Sequence, residues 1–139
     1  MTNVSLLNPA SRFLIAFIFL ASGAGKAFAF APTATMMASV GFPIPSFFLA
    51  CAILIELIGG TGLLLGIGTR YAAAALIVFL IPATLIFHAQ FAGDPVSGQE
   101  QIAHTLKNLA IIGGLLKFVA DGGGDYSLDK RLERKEIMI

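Results

Sequence analysis

Four long apolar stretches occupy most of this 139-residue chain, and each carries an ionisable residue within it: Lys26, Glu56, His88 and Lys107 in turn. A bilayer core of about 30 Å takes about 20 helical residues to cross. Four such crossings leave room for short loops and one polar tail, and for no second domain. Composition agrees, with 57% hydrophobic and only 12% charged residues, where soluble domains carry about a quarter. The mean hydropathy is +0.87. The chain therefore reads as an all-α integral membrane protein, a bundle of four transmembrane helices in a lipid bilayer. A charge near the middle of a membrane costs roughly 2.5 to 3.5 kcal/mol, so intramembrane ionisable residues usually face one another and mark a site.

Other classes are excluded by the same counts. A net charge of +1 with scattered basic residues gives no footprint for nucleic acid. Cys51 is the only cysteine, so no internal disulfide or multi-thiolate metal site can form within one chain.

The spans are expected over about residues 12–30, 45–65, 70–91 and 100–120, within a domain of residues 1–124. Asn8 followed by Pro9 reads as a helix start. Ala27-Phe28-Ala29 resembles a signal cleavage site, but Lys26 just before it favours an uncleaved anchor. Pro32 is expected to stop the first helix. Residues 33–41 carry the punctuation of a short helix, a Thr cap and a terminal Gly. Residues 31–46 contain no charge, so this segment is predicted to be interfacial or re-entrant. Gly68 and Thr69 make a turn and cap before the third span. Pro82 should kink that span, with Thr84 near the freed backbone groups. Ser97-Gly98-Gln99-Glu100 fits a capping box for the fourth span. Residues 125–139 form a polar tail, short helix or irregular.

Orientation follows from the lysines and arginines outside the spans. Arg12, Arg70, Lys130, Arg131, Arg134 and Lys135 lie at the N-terminal side, in the second connection or in the tail, and the first and third connections have none. Both termini are expected in the cytoplasm.

At 1.5 Å per helical residue, Lys26 lies about 6 Å, His88 about 5 Å, Lys107 about 9 Å and Glu56 about 15 Å below the outer ends of their spans. Helical periodicity groups His104, Lys107 and Asn108 on one face of the fourth span and sets Ser22 one turn before Lys26. These residues predict one polar cavity opening to the outside, with Glu56, Lys26, Lys107 and His88 as candidate catalytic groups and Asn108, His104 and Ser22 as candidate binding groups. The lysines could instead be snorkelling anchors, and Glu56 with a lysine could be a structural ion pair. Either lysine can be its partner at this stage. A metal or haem held by His88 and His104 is not expected, because nearby lysines repel a cation. Ser22-Gly23-Ala24-Gly25-Lys26 lacks the leading glycine and the preceding strand of a phosphate loop. Cys51 reads as a small core residue.

Taken together, several landmarks resemble the DoxX family of small four-span bacterial membrane proteins. They are Arg12 with Ser22 to Lys26, Gly41-Phe42-Pro43-Ile44-Pro45, and Glu56-Leu57-Ile58-Gly59-Gly60 through Gly66 to Thr69-Arg70. Phe87-His88, Lys107-Asn108-Leu109-Ala110 with Gly113-Gly114, and Tyr126-Ser127-Leu128-Asp129 complete the series. The resemblance implies location in the bacterial inner membrane and a link to redox chemistry, as the membrane subunit of a thiosulfate:quinone or thiol and oxidative-stress system. It implies a quinone as candidate cofactor and a protein partner that supplies the redox activity. Two other readings stand beside it: a non-enzymatic scaffold or assembly partner, and a small transporter. The transporter would need a homo-oligomer, for which Gly59 to Gly66 and Gly113-Gly114 are candidate surfaces.

Overall fold

The computed structural model describes residues 6–88 and 95–137, with the side chains of 87, 88 and 95–97 outside that description. The described residues form six helices and no strand: α1 (Leu7–Phe28), α2 (Phe30–Ser39), α3 (Pro45–Leu65), α4 (Thr69–His88), α5 (Pro95–Asp121) and α6 (Leu128–Ile137). Four of them, α1, α3, α4 and α5, are long and apolar enough to cross a membrane. Their outer faces carry large apolar residues such as Leu14, Leu54, Val78 and Leu106, all more than half exposed. In water that surface would drive aggregation; in a bilayer it is the ordinary lipid-facing side.

Three breaks fall at other places than the local signals suggest. Asn8 does not cap α1, which begins one residue earlier at Leu7 without a side-chain cap. The first helix breaks at Ala29, ahead of Pro32. The reason is that proline has no N–H for the carbonyl four residues back and clashes with it. Moving the break upstream puts Pro32 in the first turn of α2, where no such bond is required. Thr33 consequently lies inside α2, where its hydroxyl donates to the Ala29 carbonyl at 2.7 Å. Likewise α5 already includes Ser97, so the expected capping box lies inside the helix. In α4 the Thr84 hydroxyl donates to the Leu80 carbonyl at 2.7 Å, its own i−4 neighbour, rather than to Val78, the carbonyl for which Pro82 has no N–H.

The helices run in sequence around the bundle, α3 beside α1, α4 beside α3 and α5 beside α4. The shared core comprises Ala16 and Phe19 of α1, Leu63 of α3, Leu76 and Leu80 of α4, and Leu115 and Phe118 of α5. A second, smaller cluster of Met37, Leu49 and Ile53 seats α2 on the first half of α3. Glycines let the backbones approach. A Cβ added at Gly59 would lie 2.9 Å from Leu76 Cγ, and one at Gly60 would lie 3.0 Å from Leu20 Cγ. These two glycines are thus used inside the bundle.

The start of α1 and the start of α6 lie at the end opposite α2, tied there by a polar knot. The Asp129 carboxylate accepts from Gly68 N (2.8 Å), Thr69 N (3.0 Å) and Thr69 Oγ1 (2.9 Å). It satisfies N–H groups at the start of α4 from about sixty residues further along the chain, a capping geometry. The Asp129 N–H in turn donates to the Gly66 carbonyl at 2.9 Å. Arg12, only 3% exposed, donates through Nη2 to the Tyr126 carbonyl at 3.1 Å. Gly66 is in the left-handed region at φ 71, and a Cβ there would collide with Arg12 Nη1. Burial alone would raise the Asp129 pKa. The bonds from Thr69 and Gly68, with the Arg12 charge beside them, outweigh that and hold it below the ordinary carboxylate range.

Candidate functional site

Gly23 creates the site. It lies against α3, where an added Cβ would sit 3.0 Å from Leu57 Cδ2 and 3.1 Å from Glu56 Cβ. With no side chain there, α1 comes close enough for its neighbours Ser22 and Lys26, one turn apart, to flank Glu56. Lys26 Nζ lies 2.8 Å from both Glu56 oxygens. Ser22 Oγ donates to Glu56 Oε1 at 3.0 Å and accepts from Lys26 Nζ at 2.5 Å. The carboxylate therefore accepts three hydrogen bonds in a pocket that leaves Glu56 only 3% exposed. The Lys26 side chain keeps 31% of its surface accessible.

The meeting of these residues corrects the depth arithmetic. Glu56 lies eleven residues, about 16 Å, from the start of α3, whereas Lys26 is two residues from the end of α1. Their contact means that α1 stops well short of the level where α3 begins. Helix α2, seated on the first half of α3, fills that level instead. The end of α1 was a poor marker of the membrane surface because residues 27–55 carry no ionisable residue other than Cys51 and can lie at membrane depth.

Next to the pair is a chamber of about 620 Å³. Ser22, Lys26 and Glu56 line one side and Lys107 and Asn108 of α5 another, while the remaining wall is almost wholly apolar, including Phe19, Leu49, Phe79 and Leu80. Thr33, Met36 and Met37 of α2 also line it, so α2 borders the chamber on the side where an opening to the outside was expected. Asn108 is 9% exposed and donates to Thr84 Oγ1 at 2.8 Å, which fixes its amide beside the chamber. Lys107 is exposed, with Nζ 3.2 Å from His104 Nδ1. The charged lining residues are Lys26, Lys107 and Glu56, an excess of one positive charge. The volume and the mostly apolar wall with few polar groups match ordinary small-molecule sites.

Of the residues singled out from sequence, five therefore meet at one chamber: Ser22, Lys26, Glu56, Lys107 and Asn108. His104 touches Lys107 but is not part of the lining, and the His88 side chain lies outside the described residues. Among the described residues no group of three or more His, Cys, Asp and Glu side chains is placed to hold a metal ion. Thr84 was missed as an orienting group for Asn108, since sequence suggested only a role at the Pro82 kink. Arg12 and Asp129 were missed as partners because nothing local in sequence links positions so far apart.

A four-span helical membrane protein with a lysine paired to a buried glutamate beside a mostly apolar chamber is the class that this geometry defines. The DoxX family model matches residues 9–89, more than half of the chain. The chain belongs to the DoxX family. It is 34% identical over 125 residues to the inner membrane protein YqjF of Escherichia coli K12, covering 90% of this chain and 91% of that one. To the inner membrane protein YphA of the same organism it is 30% identical over 123 residues, 87% and 86% of the two chains. A third relative, the uncharacterized membrane protein Rv3486 of Mycobacterium tuberculosis, is 31% identical over 103 residues, 69% of this chain and 62% of that one. No solved structure matches the chain.

Proposed function

We propose that the chain is an inner-membrane subunit of a quinone-linked redox system, holding a quinone head in the chamber beside Lys26 and Glu56 while a partner protein delivers electrons. The observation that carries this reading is a chamber with a cationic, hydrogen-bonding side and apolar walls inside a membrane-crossing bundle. Its polarity suits a molecule with an oxygen-rich head and an apolar body. The names of the two Escherichia coli relatives support the inner-membrane location.

When bound, a quinone supplies two-electron, two-proton chemistry. The chain's own residues would orient and protonate the head. Lys26 and Lys107 offer N–H donors at the polar side of the chamber, and the fixed Asn108 amide adds a neutral group. The Lys26 ammonium, more accessible than Glu56, is the proton donor towards a reduced head, and the Glu56 carboxylate that it bonds is the group of the cluster able to take up and hold a proton. Water is limited around the pair by α2 and by the apolar wall, which strengthens each electrostatic contact.

The test is the quinone that copurifies with the protein, counted per chain by mass spectrometry in wild type and in Lys107→Leu. Close to one quinone per chain, lost in the variant, is expected. Folded wild-type protein without quinone would end this reading and favour the scaffold, in which the Lys26–Glu56 pair serves only to clip α1 to α3.

A further inference from the structure

The chamber is not closed equally on all sides. At the level of Ile15, α1 and α5 are in contact, since a Cβ added at Gly114 would fall 2.6 Å from Ile15 Cδ1. From Gly114 to Lys107, α5 rises about 10 Å towards the chamber. At that higher level three of the α1 residues that line the chamber are also surface residues, Phe17 at 60% exposed, Ile18 at 41% and Ala21, while Phe19 is buried behind them. Lys107 on the facing helix is likewise both lining and exposed. A residue that lines a chamber and also faces outward marks its mouth. Because this level belongs to the membrane-crossing part of both helices, the mouth faces lipid. On the α2 side, Met37 is buried and Thr33 half-buried in the wall, while Met36, 55% exposed, borders the same mouth.

We propose that ligands of the Lys26–Glu56 chamber enter and leave sideways, through the seam between α1 and α5. The ligand class is a bilayer amphiphile whose head sits at Lys26 and Lys107 and whose apolar tail stays in the lipid between Phe17, Ile18 and Ala21. This rests on the quinone reading above and adds its route and its tail requirement. Ala21 is the specificity-determining position of this proposal, because it is the smallest of the exposed α1 residues that line the chamber and lies one turn from Ile18. The single excess positive charge of the lining favours a head with an electron-rich or anionic oxygen. A free, tail-less solute gains nothing from the seam.

Purified protein in lipid nanodiscs tests this with two probes, a long-tailed ubiquinone and its tail-less dimethoxy methyl benzoquinone ring, each titrated against wild type, Ala21→Trp and Leu14→Trp. Leu14 faces outward on the same helix and does not line the chamber, so its variant controls for bulk alone. In Ala21→Trp the tailed probe should weaken by about tenfold or more, the scale of forcing a bulky group into an occupied space. The ring should bind as in wild type, which also reports that the variant is folded, and Leu14→Trp should change neither. Unaltered binding of the tailed probe in Ala21→Trp overturns the lateral route and leaves the quinone reading intact. Equal loss of both probes in folded Ala21→Trp overturns the tail requirement. Wild type that binds neither probe overturns the quinone reading itself. Should Ala21→Trp not fold, Ile18→Trp carries the same expectations.

Discussion

The Lys26–Glu56 contact is where residue chemistry and position in the membrane meet. A carboxylate 3% exposed is tolerable in an apolar bundle because Lys26 and Ser22 occupy its oxygens. Removing one partner of a buried pair leaves the other uncompensated, which costs about 3 to 5 kcal/mol. Lys26→Met is therefore expected to lower stability by that order in detergent unfolding, and adding Glu56→Gln to it should restore much of the loss. Additive losses in the double variant would mean that the pair is not energetically coupled. At the opposite end, Asp129 has its pKa held below the ordinary range. A depressed carboxyl contributes stability that is full above the unfolded value near 3.9 and disappears as pH falls below it. Melting temperature should thus decline from about pH 5 to pH 3 in wild type, and Asp129→Asn should flatten that slope. An unchanged slope in the variant would remove Asp129 as its source.

At the scale of elements, what sequence conveys is uneven for identifiable reasons. Apolar length announced the four crossings, since each of α1, α3, α4 and α5 must supply a lipid-facing surface along its whole length. The helix ends were less legible. Pro32 signals a break nearby, yet whether the chain yields before or after it depends on which carbonyl can be left unpaired, and the break fell at Ala29. Glycines were legible as packing residues but not as to partner. Gly59 and Gly60 read equally well as oligomer contacts, and only the placement of Leu76 and Leu20 against them assigns them to the interior. Position decides what a glycine is for. Gly66→Ala forces a side chain into a left-handed turn and onto Arg12, so a loss of at least about 1 to 3 kcal/mol is expected. Gly113→Ala has open space around its Cβ and should be neutral or mildly stabilising. Thermal melts of the two variants side by side make the comparison, and equal effects would contradict the assignment of the turn.

Over the whole molecule, the landmarks that resembled the DoxX family separate into two groups. Ser22, Gly23, Lys26, Glu56, Lys107 and Asn108 build the chamber, while Arg12, Gly66, Thr69, Tyr126 and Asp129 build the knot at the opposite end. The first group was recognisable as a candidate site because charges in apolar helices are expensive. The second was hidden, because polar residues near the ends of membrane spans look like ordinary headgroup anchors and residues 125–139 looked like a tail. From the basic residues of the second connection and of α6 we propose that this end faces the cytoplasm. Arg131→Cys in a Cys51→Ala background should accordingly resist a membrane-impermeant thiol reagent in intact cells and react after permeabilisation, and labelling in intact cells would reverse the orientation.

The most direct measurement is the location of a photoreactive quinone crosslinked to the wild-type protein in a membrane and mapped by peptide mass spectrometry. Adducts are expected on chamber-lining residues of α1, α3 and α5, around Ser22, Ala52 and Ile111, suppressed by excess unlabelled quinone and lost in Lys107→Leu. Adducts scattered over lipid-facing positions such as Leu54 and Val78, insensitive to competitor, would contradict a quinone site in the chamber.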